Sequence, residues 1–199
     1  MSQSPISHFF AYVARLRWIK RWGLMRNAIE ENVATHSWEV ATLAHALALI
    51  RNRHFEGSVD ADRVAAAALY HDATEVITGD MPTPVKYHSR VMREVFGDIE
   101  HKAESELLAL LPASLQGDFA QYLRESEWPD EVKELIKAAD RLSAWLKCQA
   151  EMQAGNKEFE PAAAQIFQRL QQEALPEVLY FLEVFAPSYQ RPLDHLLEE

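Results

Sequence analysis

Apolar residues recur at three- and four-residue steps along much of this chain. Val132, Leu135, Ile136, Ala139, Leu142 and Leu146 mark one side of a helix, because side chains at that spacing stack on one face of a 3.6-residue turn. Trp38, Val40, Ala41, Ala44, Leu47 and Ala48 form a stretch apolar enough to predict a core helix, with His36 at its polar entrance and Thr35 and Ser37 as candidate caps. Residues 64–70 are nearly all alanine, leucine and valine, a small-residue helix that lets neighbours pack closely. No run alternates with the period of two that a half-buried strand requires. The six glycines, at 23, 57, 79, 97, 117 and 155, fall between the helical stretches as punctuation. The pattern therefore predicts helices near 4–18, 36–53, 60–74, 87–111, 113–126, 129–153, 157–173 and 175–186. The expected fold is all-α, a single helical bundle of about eight helices over 1–199, with helices in 157–195 packed on a core spanning about 21–150.

Composition narrows the function without naming it. With 48% hydrophobic and 25% charged residues, 199 residues suit one ordinary globular domain. Residues 1–6 lack the basic and apolar run of a secretory signal, and the most apolar stretch, 41–50, is interrupted by His45 and too short to span a bilayer. A cytoplasmic location with no membrane partner is the expectation. Cys148 is the only cysteine, which removes a disulfide framework and a cysteine-rich zinc site and reads as a small buried apolar residue. A net charge of −10 argues against a nucleic-acid polymer as partner, since nonspecific binding needs a basic surface that releases counterions. Neither GxGxxG nor GxxxxGK[ST] occurs, so the common phosphate-cradling loops are absent.

Four residues carry the candidate chemistry: His36, the adjacent His71-Asp72 pair, and Asp140. Two imidazoles and two carboxylates make a mixed site suited to Mn, Co, Ni, Fe or Zn, and they leave octahedral positions open for water and a substrate oxygen. Neighbouring residues on a regular helix point about 100° apart, so His71 and Asp72 share an ion only at a helix end or kink. The Thr78-Gly79-Asp80 segment, with Pro82 and Pro84 expected to bar further helix, supplies such an end. Asp140 falls beside Ala139, one turn after Ile136, and an unpaired carboxylate there calls for a metal or a cation. Glu75, one turn after His71 if the helix continues, is the candidate general acid/base, with the loop residue Asp80 as second candidate. The bland alternatives are a core histidine satisfied by a carbonyl and a loop carboxylate capping backbone N–H groups.

The pattern His36…His71-Asp72…Asp140 resembles the HD-domain metal-dependent phosphohydrolases. Arg21-Trp22, Leu24-Met25-Arg26-Asn27, Glu31-Asn32-Val33, Tyr70-His71-Asp72-Ala73 with Glu75, Thr78-Gly79-Asp80, Pro82-Thr83-Pro84-Val85-Lys86-Tyr87 and Leu146-Lys147-Cys148 are similar, more narrowly, to the bacterial 5′-deoxynucleotidases of the YfbR-like group. The resemblance covers nearly the whole chain and departs from the family mainly in residues 88–100 and the C-terminal tail. It implies hydrolysis of deoxyribonucleoside 5′-monophosphates by attack of a metal-bound water, with low base selectivity and rejection of ribonucleotides. It also implies one divalent ion, Co, Mn or similar, held by His36, His71, Asp72 and Asp140, with the two aspartates also touching substrate. By the same resemblance Arg21 orients the phosphate, Trp22 walls the deoxyribose, Asp80, Met81, Pro82 and Thr83 bind the nucleotide, and the protein is a homodimer. The rival readings are an HD-type deoxynucleoside triphosphohydrolase, a cyclic-nucleotide or alarmone phosphodiesterase, and a helical module without chemistry.

Overall fold

The structure, a computed structural model, describes residues 6–86 and 88–197. Among them the chain forms helices α1 (Phe9–Val13), α2 (Val33–His54), α3 (Ala61–Leu69), α4 (Glu75–Thr78), α5 (Thr83–Lys86), α6 (Arg90–Ala109), α7 (Ala113–Leu123), α8 (Asp130–Gln153), α9 (Glu160–Glu173) and α10 (Pro176–Val184). No strand occurs among the described residues, and an isolated antiparallel bridge joins Lys20 to Asn32. The all-α expectation holds.

The long helices follow the apolar periodicity, and the differences lie at their ends. Asn32 caps α2 by accepting from Thr35 N at 3.0 Å, and Asn32 N donates back to the Thr35 hydroxyl at 3.2 Å. This reciprocal pair starts the helix before His36, so neither Thr35 nor Ser37 is its N-cap. Of the segment expected as one helix over 4–18, residues 4 and 5 lie outside the described residues, and the rest contains α1 followed by a 3₁₀ turn, Ala14–Trp18. Phe9 and Leu16 are its buried residues among those described, too little packing to hold one long helix together. The helix expected to reach 74 stops at Leu69. Pro84 does not bar helix formation: it stands in the first turn of α5, where no N–H to an i−4 carbonyl is needed.

The centre of the fold is α2, which packs on α3, α8 and α10, while α9 lies along α8. Its buried residues, from Val33 and Val40 through Leu47 and Ile50, fill about half of its circumference, a wide face turned to those neighbours. Trp38, expected in this core, is 64% exposed, on a side that no helix among the described residues covers. The main core joins Leu47, Val64, Leu135, Leu142 and Phe181. A second cluster of Phe9, Leu107, Leu111 and Leu123 packs against Ala73 and so supports the turn holding His71 and Asp72. A third, Cys148, Phe159 and Ala163, receives Trp22 and Met25. Val178 and Phe181 of α10 enter the core, whereas Leu179, Val184 and Phe185 remain exposed. No helix among the described residues is long and apolar enough to cross a membrane.

Candidate metal centre

His36 lies one turn inside α2, where packing of that helix against α8 buries it almost completely and brings it to Asp140. His71 and Asp72 occupy the irregular turn between α3 and α4. Because the helix has ended, these adjacent side chains converge, with His71 Nε2 3.1 Å from Asp72 Oδ2. Ligand-type atoms of His36, His71 and Asp72 all lie within 4.8 Å of one another. Asp140 stands beside this trio: its Oδ1 is 3.1 Å from His36 Nε2, and its side chain, 43% exposed, is the most open of the four.

The donor set fits a divalent ion. Nε2 of His36 and Nε2 of His71 are buried without a hydrogen bond although carboxylate oxygens stand close by. Buried polar atoms are ordinarily satisfied, so two orphan imidazole nitrogens facing two carboxylates point to a cation between them. The His71 ring is oriented from behind, where Nδ1 meets the Ala68 carbonyl at 2.7 Å. Charge leads to the same conclusion. Glu31, Asp72, Glu75, Asp80 and Asp140 surround Arg21, which contacts Asp72 at 3.4 Å and Glu31 at 3.5 Å with a side chain only 14% exposed. A pocket so rich in carboxylates repels a phosphate unless additional cationic charge is bound.

Burial and this charge pattern shift the titration of the site. Burial lowers the His71 imidazole, but the charges of Asp72 and Asp140 outweigh it and raise the group to about 9. Burial opposes ionisation of Asp72 and Asp140, yet the neighbouring histidines hold both below the usual carboxylate range. Glu75 goes the other way: burial, then repulsion from Asp72 and Asp80, raise it to about 9. A carboxylic acid that keeps its proton at neutral pH is suited to proton donation. Burial also raises Asp80, in part offset by Arg21.

Arg21 and Trp22 sit at the start of a loop, residues 20–32, whose neck is closed by Arg21 N to Glu31 O at 3.1 Å and Val33 N to Ile19 O at 3.0 Å. Trp22 adopts φ 57°, the left-handed region unusual for a side chain this large. It is held there by its indole N–H, which donates to Glu31 Oε2 at 2.7 Å, and by Phe159, whose ring centroid lies 5.3 Å away. Trp18, four residues earlier, is solvent-exposed beneath the Arg15 guanidinium. Lys20 forms a separate exposed pair with Glu30, whereas Arg21 beside it is turned inward to Glu31 and Asp72. Met81 and Pro82 follow Asp80 as half-buried loop residues; Thr83 opens α5, and its side chain lies outside the described residues, as does Tyr87.

Two residues at the site, Glu39 and Ser143, escape the sequence reading, and a third, Glu31, stood in it only within a family-like segment and without a role. Glu31 ties Trp22 to Arg21, and Ser143 bridges His36 Nδ1, at 3.2 Å, to Glu39 Oε2, at 2.6 Å. The one signal available was spacing, since Glu39 and Ser143 each lie three residues after a candidate ligand, His36 and Asp140.

The 5′-deoxynucleotidase YfbR-like family model matches residues 8–189. The chain belongs to this family. Among its relatives, a 5′-deoxynucleotidase of Pasteurella multocida strain Pm70 is 46% identical over 96% of this chain and 98% of its own length. One from Yersinia pestis strain Pestoides F is 49% identical over 96% and 97%. In fold, this YfbR-like chain is similar to an HD-domain phosphohydrolase from Listeria innocua, with a TM-score of 0.78 at 24% identity over 92% of this chain and 88% of that one. A cyanophage S-2L HD phosphohydrolase, bound to dA and one catalytic Zn²⁺, has a TM-score of 0.64 at 19% identity over 92% and 96%.

Proposed function

We propose that the protein is a divalent-metal-dependent 5′-deoxynucleotidase that hydrolyses deoxyribonucleoside 5′-monophosphates to the deoxynucleoside and phosphate and selects against ribonucleotides. The observation that carries this reading is the pair of orphan imidazole nitrogens converging on Asp72 in a chain of the YfbR-like family. His36, His71, Asp72 and Asp140 hold the ion. When bound, a divalent ion activates water as a nucleophile and polarises the phosphoryl oxygens.

The chain's own residues complete the site. Arg21 keeps its charge, because the surrounding carboxylates outweigh the cost of burial, and its planar fork orients the phosphate. Glu75 holds a proton at neutral pH and gives it to the departing 5′-oxygen; Asp80, less strongly raised, is the second acid and borders the nucleotide with Met81, Pro82 and Thr83. Trp22 rejects the 2′-hydroxyl by bulk, since an apolar pocket without a steric wall discriminates poorly against one added hydroxyl.

The test is phosphate release from dAMP, AMP, dATP and a cyclic nucleotide by protein stripped of metal and resupplied with Co or Mn. Metal-dependent release from dAMP, with little from AMP, is expected. Equal rates on AMP and dAMP would overturn the deoxy-selective reading, and a triphosphate product from dATP would replace it with a triphosphohydrolase.

A further inference from the structure

Two of the candidate ligands have a polar partner one turn further along their own helices. Glu39 follows His36 on α2, and Ser143 follows Asp140 on α8. Packing of α2 on α8 brings these two partners together behind the site. Ser143 is fully buried; its hydroxyl donates to Glu39 Oε2 at 2.6 Å while its Oγ lies 3.2 Å from His36 Nδ1.

A hydroxyl has one proton and two lone pairs. With the proton given to Glu39, Ser143 offers His36 only lone pairs, so the contact is a hydrogen bond only when His36 Nδ1 carries the hydrogen. Glu31 Oε1, 3.7 Å from the same nitrogen, favours that arrangement too. A neutral imidazole protonated at Nδ1 has its free lone pair on Nε2. Nε2 is the buried, unbonded nitrogen that stands 3.1 Å from Asp140 and 3.5 Å from Asp72.

We propose that Glu39 and Ser143 are positioning residues that set the tautomer and ring orientation of His36 for metal binding. His71 reaches the same state through the backbone, because the Ala68 carbonyl takes its Nδ1–H. Both imidazoles therefore turn the same nitrogen inward. Only the His36 half depends on side chains and can be undone by substitution. This inference rests on the metal-centre reading of the site.

The experiment measures binding of Mn or Co alone to metal-free, full-length protein by calorimetry, together with ¹⁵N spectra of labelled histidine. Ser143→Ala and Glu39→Ala are each expected to weaken metal affinity about 10–100-fold, the usual effect of removing a group that orients a ligating histidine. Glu39→Ala releases the Ser143 proton to point at Nδ1, so it should also move the His36 hydrogen to Nε2 in the spectrum, a change that a merely structural role would not produce. Should Ser143→Ala fail to fold, Glu39→Ala, at a half-buried position, carries the test. Wild-type affinity in both variants, or a wild-type spectrum with the His36 hydrogen on Nε2, overturns the proposal. His36→Ala separates the two levels: unchanged metal binding in that variant would overturn the metal-centre reading itself. Lost binding there, with normal binding in the other two, would overturn only the positioning role.

Discussion

One buried carboxylate holds the loop that carries Arg21 and Trp22. Glu151, fully buried near the end of α8, accepts from Ala28 N at 2.8 Å, Ile29 N at 2.9 Å and Asn156 Nδ2 at 2.7 Å, and pairs with Lys147, which also donates to the Ile29 carbonyl. Glu151→Ala removes the acceptor for all four donors and leaves the Lys147 ammonium almost completely buried without its counter-charge. Breaking such a pair from one side costs about 3–5 kcal/mol. In a chain of this size each kcal/mol lowers Tm by about 2–4 °C, so a fall of roughly 6–20 °C is expected. Because Arg21 and Trp22 ride on the same loop, kcat/KM for dAMP should fall with it. The pH dependence has a defined sign. Burial alone would raise Glu151, but Lys147 and the two backbone N–H groups lower it from 4.5 to about 2. Its stabilisation is therefore complete above 4.5 and is lost as pH falls toward about 2. Glu151→Gln should lack that part of the acid response. Guanidinium unfolding followed by tryptophan fluorescence, across this pH range, measures both effects. A loss below about 1 kcal/mol in Glu151→Ala, the size of an average point substitution, together with unchanged kcat/KM, would refute the tether.

Two further outcomes test the site. Trp22→Ala should raise kcat/KM for AMP relative to dAMP by about 10–100-fold, the discrimination available from one small group in a pocket; an unchanged ratio would remove Trp22 from the sugar-recognition role. In metal-free protein, His71 is raised from 6.5 and Glu75 from 4.5, each to about 9, so the folded state binds more protons than the unfolded chain over those windows. The stabilisation from His71 is complete below 6.5, that from Glu75 below 4.5, and both are lost as pH rises through about 9. Urea unfolding of chelator-treated protein should show stability declining from 6.5 to 9, with a shallower decline in Glu75→Gln. A flat or rising wild-type profile would contradict the assignment.

Much of the fold was legible because periodicity reports burial directly. The face of Val132, Leu135, Ile136 and Leu142 is the buried face of α8. That a helix end or kink must lie at His71 and Asp72 was also legible through chemistry, since adjacent residues share an ion only there, but its position was not: the helix was expected to reach 74, and α3 ends at Leu69. What failed was local competition between weak signals. Asn32 won the cap of α2 over the two hydroxyl residues beside His36 through a reciprocal bond that spacing alone does not reveal. Trp38 follows the apolar pattern of its helix yet faces solvent, because no neighbour among the described residues covers that side.

The sequence by itself determined the helices, the types of group able to bind an ion, and, through family resemblance, a substrate class. Each depends on residue identity or on contacts within a few positions of the chain. Only the tertiary structure decided which carboxylates surround Arg21, which nitrogen of each imidazole turns inward, and what holds Trp22 in a left-handed conformation. Glu31, Glu39, Ser143 and Glu151 act through hydrogen bonds across helices and loops. Such partners are set by how α2, α8 and the 20–32 loop pack, and packing leaves no periodic mark in the chain.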